Sequence, residues 1–459
     1  MITRLPTTET LPDSVCAAAA APAPYLVLAI ECARPAAGSV RYSLAGIDEV
    51  RIGRGDDRRA WRRDGILAIE VPDGSMSAEH VRLVRAGAVW SLQDAGSKNG
   101  THVNGVRAVR QPLCDKDVIE AAQTFLVLRV GPGDAEPGDL ALGVDADDLA
   151  TLDPRLAAAL ATIDRIAHAD VPLLILGETG TGKEIVARAA HDRSKRRGPC
   201  IAVNCGAIAP TLVESELFGY RRGAFSGATE DRLGLVRAAD GGSLFLDEIA
   251  ELAPASQAAL LRVIQEREVV PVGGTVPVKV DLRIVSATCQ DVAALVALGR
   301  FRRDLHARIA GFTLALPALR DRRDDLGLLI ARFVARRADR APIKLDRLAI
   351  RALFQHDWPE NIRELDQLVT AALALGDGAI GLAQVSQALG ARPSATTASP
   401  RSHDLRALEP QGIDREALSA LFEAHRGNVS RVASALSTSR SQVRRLASRL
   451  GLAPEQFRK

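Results

Sequence analysis

Residues 173–184 restrict the possible folds of this chain more than any other stretch. An apolar run, Leu173–Leu176, leads straight into Gly177-Glu178-Thr179-Gly180-Thr181-Gly182-Lys183-Glu184. Glycines at this spacing let backbone N–H groups curl around a phosphate at the positive end of the following helix, and Lys183 adds a point charge. Such a loop has to join a strand to a helix, which commits its surroundings to a parallel α/β sheet. Between residues 149 and 389, apolar runs at 173–176, 244–246 and 282–285 do alternate with amphipathic stretches. Beyond about 316 only helical patterns remain, so a helical subdomain is expected there. A glycine-rich turn without function is the bland alternative, and the strand ahead of the loop argues against it.

A second signature follows at the expected distance: Gly241-Gly-Ser-Leu-Phe-Leu-Asp247-Glu248, a buried strand ending in two carboxylates. They could simply cap the next helix. Paired with the phosphate loop, they read better as nucleotide chemistry, with ATP and Mg2+ as cofactors. Asp247 then holds magnesium, directly or through water, and Glu248 polarises the attacking water.

Between the two signatures lies Gly223-Ala224-Phe225-Ser226-Gly227-Ala228, reached through Glu214-Ser-Glu-Leu-Phe-Gly-Tyr-Arg-Arg. This run resembles the GAFTGA loop with which AAA+ activators of sigma-54 RNA polymerase push on the sigma factor. The resemblance implies that residues 223–228 contact sigma-54. Ser226 for the family threonine keeps the hydroxyl and loses one methyl, worth about 0.8 kcal/mol if buried. A purely structural hairpin is the alternative. The resemblance further implies that Asn204 restrains the catalytic glutamate. Arg302 and Arg308 become fingers reaching a neighbouring subunit's γ-phosphate, and Arg363 becomes the nucleotide-sensing arginine of the lid. Fingers acting in trans imply a hexamer when active; a dimer is expected when inactive. Glu184, where most phosphate loops carry Ser or Thr, agrees with the family. Two positions depart from it. Cys289 stands where an asparagine is expected after Thr288, which leaves Thr288 to orient the water or slows hydrolysis. Glu360 replaces a glycine in a turn expected to lie at the surface.

Ahead of this segment, short runs at 25–30, 50–52, 66–71, 81–84, 88–92 and 125–130 alternate with Gly, Asp and Asn clusters, which suggests an all-β sandwich. On it sit Gly53-Arg54, Ser77-Ala-Glu-His80 and Asp94-Ala-Gly-Ser97-Lys98-Asn99-Gly100-Thr101, followed by Asn104-Gly105. Together they resemble a forkhead-associated (FHA) domain, which reads phosphothreonine. Arg54 forks onto phosphate oxygens, Ser77 adds a hydroxyl, Lys98 adds charge and Asn99 holds the peptide backbone. His80 supports the Ser77 loop. Tight turns alone would account for Gly100 and Gly105, but not for Arg54 together with Ser77.

At the far end, Asn428 precedes apolar positions 429, 432, 433 and 436. Ser437-Thr-Ser439 turns the chain, and positions 443, 446, 447 and 450 repeat the helical spacing up to Gly451. This is a helix-turn-helix resembling the Fis-type module of many sigma-54 activators. Ser439, Arg440, Ser441, Gln442, Arg444 and Arg445 are its candidate DNA-binding residues. A hairpin used only for dimerisation is the alternative, and the exposed charge favours DNA.

A length of 459 residues suits about three domains. The expected division is a disordered leader (1–24), the sandwich (25–131), a Gly- and Pro-marked linker (132–148), the α/β ATPase (149–316), its helical lid (317–390), a second linker (391–408) and the helix-turn-helix (409–459). Six cysteines lack metal spacing. No apolar run reaches a membrane span and the leader lacks a signal-peptide core, so a cytoplasmic protein is expected. The whole implies an activator that hydrolyses ATP to remodel sigma-54 RNA polymerase holoenzyme from upstream enhancer DNA. It would be controlled by a threonine-phosphorylated partner or by a phosphothreonine of its own. A phosphopeptide- and DNA-binding scaffold or repressor with feeble ATPase is the alternative. A chaperone-like AAA+ protein is disfavoured by the hexapeptide.

Overall fold

The computed structural model describes residues 24–130, 138–209, 211–337, 343–376 and 379–390, with four isolated positions further on. Two compact units divide the chain, Met1–Ala391 and Arg392–Lys459. The leader, the second linker and the helix-turn-helix lie outside the described residues, apart from Pro24, Ser419, Phe422, Val432 and Gln456. Among the described residues no helix is long and apolar enough to cross a membrane.

The N-terminal region is a sandwich of two sheets. One runs Leu140–Leu142, Ser39–Ser43, Tyr25–Glu31, Thr124–Arg129, Val118–Ala121, Thr101–Val103, Val106–Ala108. The other runs Arg110–Leu113, Val89–Asp94, Val81–Ala86, Glu49–Arg54, Ile66–Val71, Arg59–Arg63. Leu26 and Leu28 enter the core between the sheets with Ile52, Leu67, Trp90 and Leu126. The residues that alternate with them, Tyr25, Val27 and Ala29, face the other way and join a second core with Leu326, Ile330, Leu353, Phe354 and Trp358 of the lid. Both faces of this first strand are therefore buried. Part of the stretch expected as a linker belongs to the sandwich instead. Leu140–Leu142 adds an edge strand beside Ser39–Ser43, and Asp139 pairs with Arg62 at 2.7 Å. Three residues are too few for a period to show in the sequence.

The central sheet is parallel, in the order Cys200–Asn204, Ser243–Asp247, Arg283–Thr288, Leu173–Leu176, Phe312–Ala315. Helices cover it, among them Pro154–Ala167, which starts on Pro154 with the Asp153 carboxylate capping Arg155 N–H at 2.9 Å. The lid holds the helices Leu326–Arg337, Arg347–Gln355, Asn361–Leu375 and Leu382–Gly390. It is not purely helical: Lys344–Leu345 and Ala379–Ile380 pair as two-residue parallel strands.

Candidate nucleotide and phosphopeptide sites

Parallel register brings the chemistry to one edge. Leu176 pairs with Thr288, and Asn204 with Asp247, so the phosphate loop, both carboxylates and Thr288 meet at the carboxyl ends of the strands. Gly180 and Gly182 take left-handed φ of 78° and 101°. A Cβ on Gly180 would lie 2.1 Å from the Glu360 carbonyl oxygen. Lys183 Nζ is buried and donates to the carbonyls of Gly177 (2.9 Å) and Glu178 (3.3 Å), with Glu248 Oε1 at 3.5 Å. The surrounding cleft, about 810 Å³, is lined by Thr179, Gly182, Lys183, Glu184, Asn204, Asp247, Glu248 and, from the lid, Arg336, Arg337 and Arg363.

Burial and the neighbouring Glu248 charge push the Asp247 carboxyl above its ordinary range, with Lys183 opposing. Glu248 adopts φ 50°, directing its side chain toward Thr288 and Cys289. Its Oε2 accepts the Cys289 backbone N–H at 3.1 Å and the Thr288 hydroxyl at 3.4 Å. Asn204 departs from expectation. Its Nδ2 reaches Asp247 Oδ2 at 3.5 Å rather than Glu248, while its Oδ1 accepts the Gly206 and Ala207 N–H groups at 3.0 Å. The lateral pairing of the Asn204 and Asp247 strands accounts for this choice. Arg302 and Arg308 are exposed on or beside the helix Arg303–Ile309 and do not line this cleft. Arg302 forks onto Asp304 at 3.0 and 2.7 Å.

The structure also reveals a clamp that the sequence reading missed. Glu178 accepts Arg320 through both oxygens (2.9 and 2.5 Å) and Asn361 Nδ2 at 3.1 Å. Asn361 Nδ2 also reaches Thr179 O at 3.0 Å, and Ile362 N–H reaches Gly180 O at 2.9 Å. Arg320 holds the Glu178 carboxyl below the usual range. Glu360 is exposed, as expected of its turn, and the backbone of that turn also packs on the phosphate loop. It tolerates Glu360 because that residue has φ −105° and needs no glycine. The expected aromatic loop closes on itself, Gly223 N–H to Ala228 O at 2.8 Å and Ala228 N–H to Phe225 O at 3.0 Å. Phe225 is 42% exposed and rests edge-on against Tyr220, ring centroids 4.9 Å apart.

On the sandwich, three loops converge. Arg54 N–H donates to Ser77 O (2.9 Å), Lys98 N–H to the Ser77 hydroxyl (3.1 Å), and Asn99 Nδ2 to Ser75 O (2.6 Å). His80 is fully buried. Its Nδ1 accepts the Ser77 N–H at 3.1 Å and its Nε2 faces Gly100 O at 3.4 Å, so it braces the loop. The Arg54 and Lys98 side chains stay exposed. Ser439, Arg440, Ser441, Gln442, Arg444 and Arg445 lie outside the described residues.

Family models agree with this layout. The sigma-54 interaction domain matches residues 149–315, the AAA+ ATPase lid domain 320–402 and the FHA domain 50–121. The Nif-specific regulatory protein of Rhodobacter capsulatus is 46% identical over 244 residues, 52% of this chain and 42% of that protein. The regulator NtrC of Azospirillum brasilense is 39% identical over 319 residues, 69% of this chain and 64% of its own. The crystal structure of NtrX from Brucella abortus with ADP is 32% identical, with TM-score 0.49, and the match covers 66% of this chain and 70% of that one. The chain thus spans less than two thirds of the length of the Nif-specific regulatory protein and of NtrC.

Proposed function

We propose that this chain, which carries a sigma-54 interaction domain with an AAA+ lid behind it and an FHA domain ahead of it, is an ATP-driven activator of sigma-54 RNA polymerase whose front domain reads phosphothreonine. The observation that carries this reading is the exposed Phe225 at the tip of a small-residue loop, on the same domain as a complete phosphate loop. ATP phosphates displace the Gly177 and Glu178 carbonyls from Lys183, and Glu248 orients the attacking water. Asp247 would hold Mg2+, whose charge offsets that of the phosphates.

Arg302 and Arg308 lie outside their own cleft, which supports their use against a neighbour's nucleotide in a hexamer assembled from inactive dimers. The helix-turn-helix tethers the ring to enhancer DNA. A phosphothreonine, on a partner or on this chain, controls assembly through Arg54, Ser77, Lys98 and Asn99. Phe225→Ala tests the reading. ATP turnover should stay within about twofold of wild type while open complexes with sigma-54 holoenzyme are lost. Open complexes undiminished by the substitution would overturn it.

A further inference from the structure

Most cations of the sandwich are neutralised within it. Arg34 and Arg58 pair with Glu31, Arg51 with Glu49, Arg59 with Asp57, Arg62 with Asp139, Arg63 with Asp64, Arg82 with Glu79 and Arg129 with Asp115. Arg54, Lys98, Arg107 and Arg110 differ. Among the described residues their side chains have no carboxylate and no carbonyl partner.

All four border the same loops. Arg54 follows the glycine that packs on the 77–80 turn, and Lys98 hangs from the Ser77 hydroxyl by its backbone. The Arg107 guanidinium lies against Gly100, where an added Cβ would meet its Nε at 3.0 Å. Arg110 follows Val109, whose carbonyl accepts the N–H of Asp94 at the start of the Asp94–Thr101 loop. Asp94, the acid in that loop, spends its oxygens on the loop itself: Ser97 and Thr101 hydroxyls at 2.6 Å and the Gly96 and Ser97 N–H groups. Four like charges left uncompensated around one set of loops repel one another until an anion arrives. A single phosphate engages two or three donors, so charge remains for a second group.

We propose that Arg107 and Arg110 set specificity at this surface, selecting phosphothreonine peptides that carry a carboxylate close to the phosphate. The proposal rests on the phosphopeptide reading of Arg54 and Ser77 and deepens it.

The test uses the full chain and fluorescent phosphothreonine peptides with alanine flanks, or with aspartate placed in turn at each of the three positions on either side. Aspartate in at least one position should tighten binding about fivefold at low salt. The double substitution R107Q/R110Q should erase that gain while changing the affinity for the alanine-flanked peptide less than about twofold. Unchanged thermal unfolding would show the variant intact. Equal affinity of wild type for all the peptides, or a preference that survives in R107Q/R110Q, would overturn the proposal. So would a single-stranded oligonucleotide that competes as well as the acidic phosphopeptide, since the surface would then read charge alone. Failure of every phosphopeptide to bind would instead sink the underlying reading, as would binding that persists in Arg54→Ala.

Discussion

Glu248 is held from two sides by groups that differ in how visible they are in the sequence. The Thr288 hydroxyl is a side-chain donor, whereas the nearer contact comes from the Cys289 backbone N–H. Any residue but proline at 289 supplies that N–H, so the weakness of a thiol as a hydrogen-bond former matters less here than its identity suggests. Cys289→Ser should leave ATP turnover within about threefold, and Thr288→Val should lower kcat about tenfold, both read in steady-state hydrolysis. The reverse order of effects would show that the thiol, and not the hydroxyl, tunes the glutamate.

His80 gives a pH prediction. Burial keeps its folded pKa below that of a free histidine, with the Gly100 carbonyl opposing. As pH falls below about 6.5 the unfolded chain takes up the proton first, so stability declines toward acid and is retained above that range. Thermal unfolding of wild type should therefore drop further between about pH 7.5 and pH 5.5 than that of His80→Asn. The supporting role of His80 followed from the FHA resemblance that Ser77-Ala-Glu-His helps to carry, and its contacts agree with it. The preference of Asn204 for Asp247 was not legible in the sequence, because it depends on which strands lie side by side.

Among the elements, the interior strands of the central sheet were plain in the sequence and its edges were not. Leu173–Leu176, Ser243–Asp247 and Arg283–Thr288 are covered on both faces and read as apolar runs. Cys200–Asn204 and Phe312–Ala315 flank the sheet, stay partly exposed and carry a weaker pattern. The Glu178–Arg320–Asn361 clamp joins residues more than a hundred positions apart and leaves no local mark. It ties the lid to the phosphate loop, so Asn361→Ala should weaken nucleotide binding about tenfold, measured by titration with a fluorescent nucleotide. A second close approach is at Gly327 in the lid helix, where a Cβ would fall 2.1 Å from the Ala29 carbonyl oxygen of the sandwich. Gly327→Ala should cost about 2 kcal/mol in denaturant unfolding, because backbone cannot yield as a side-chain tip can.

Across the whole molecule, the sandwich and lid are joined by more than apolar packing. Phe125 stacks on Phe354 with centroids 5.5 Å apart. Buried Glu120 accepts Arg347 (2.7 Å) and Arg351 (2.7 and 2.8 Å) from the lid. Buried Asp324 accepts the Tyr25 hydroxyl at 2.8 Å and Arg129 at 2.6 Å. Glu120→Ala leaves two arginines without their shared counter-charge and should cost about 2–3 kcal/mol, read as a lowered midpoint in urea. The unbroken apolar run at 25–30 was the visible hint of this arrangement, since a strand with one wet face would alternate. The surface that would cover its outer side could not be read from it, because that surface lies some three hundred residues away. A front domain joined in this way shares one core with the lid, and a ligand bound at its loops would press on that core directly. Cutting it away would leave greasy helices facing water, so the resulting loss of activity would say more about a missing buttress than about a lifted restraint.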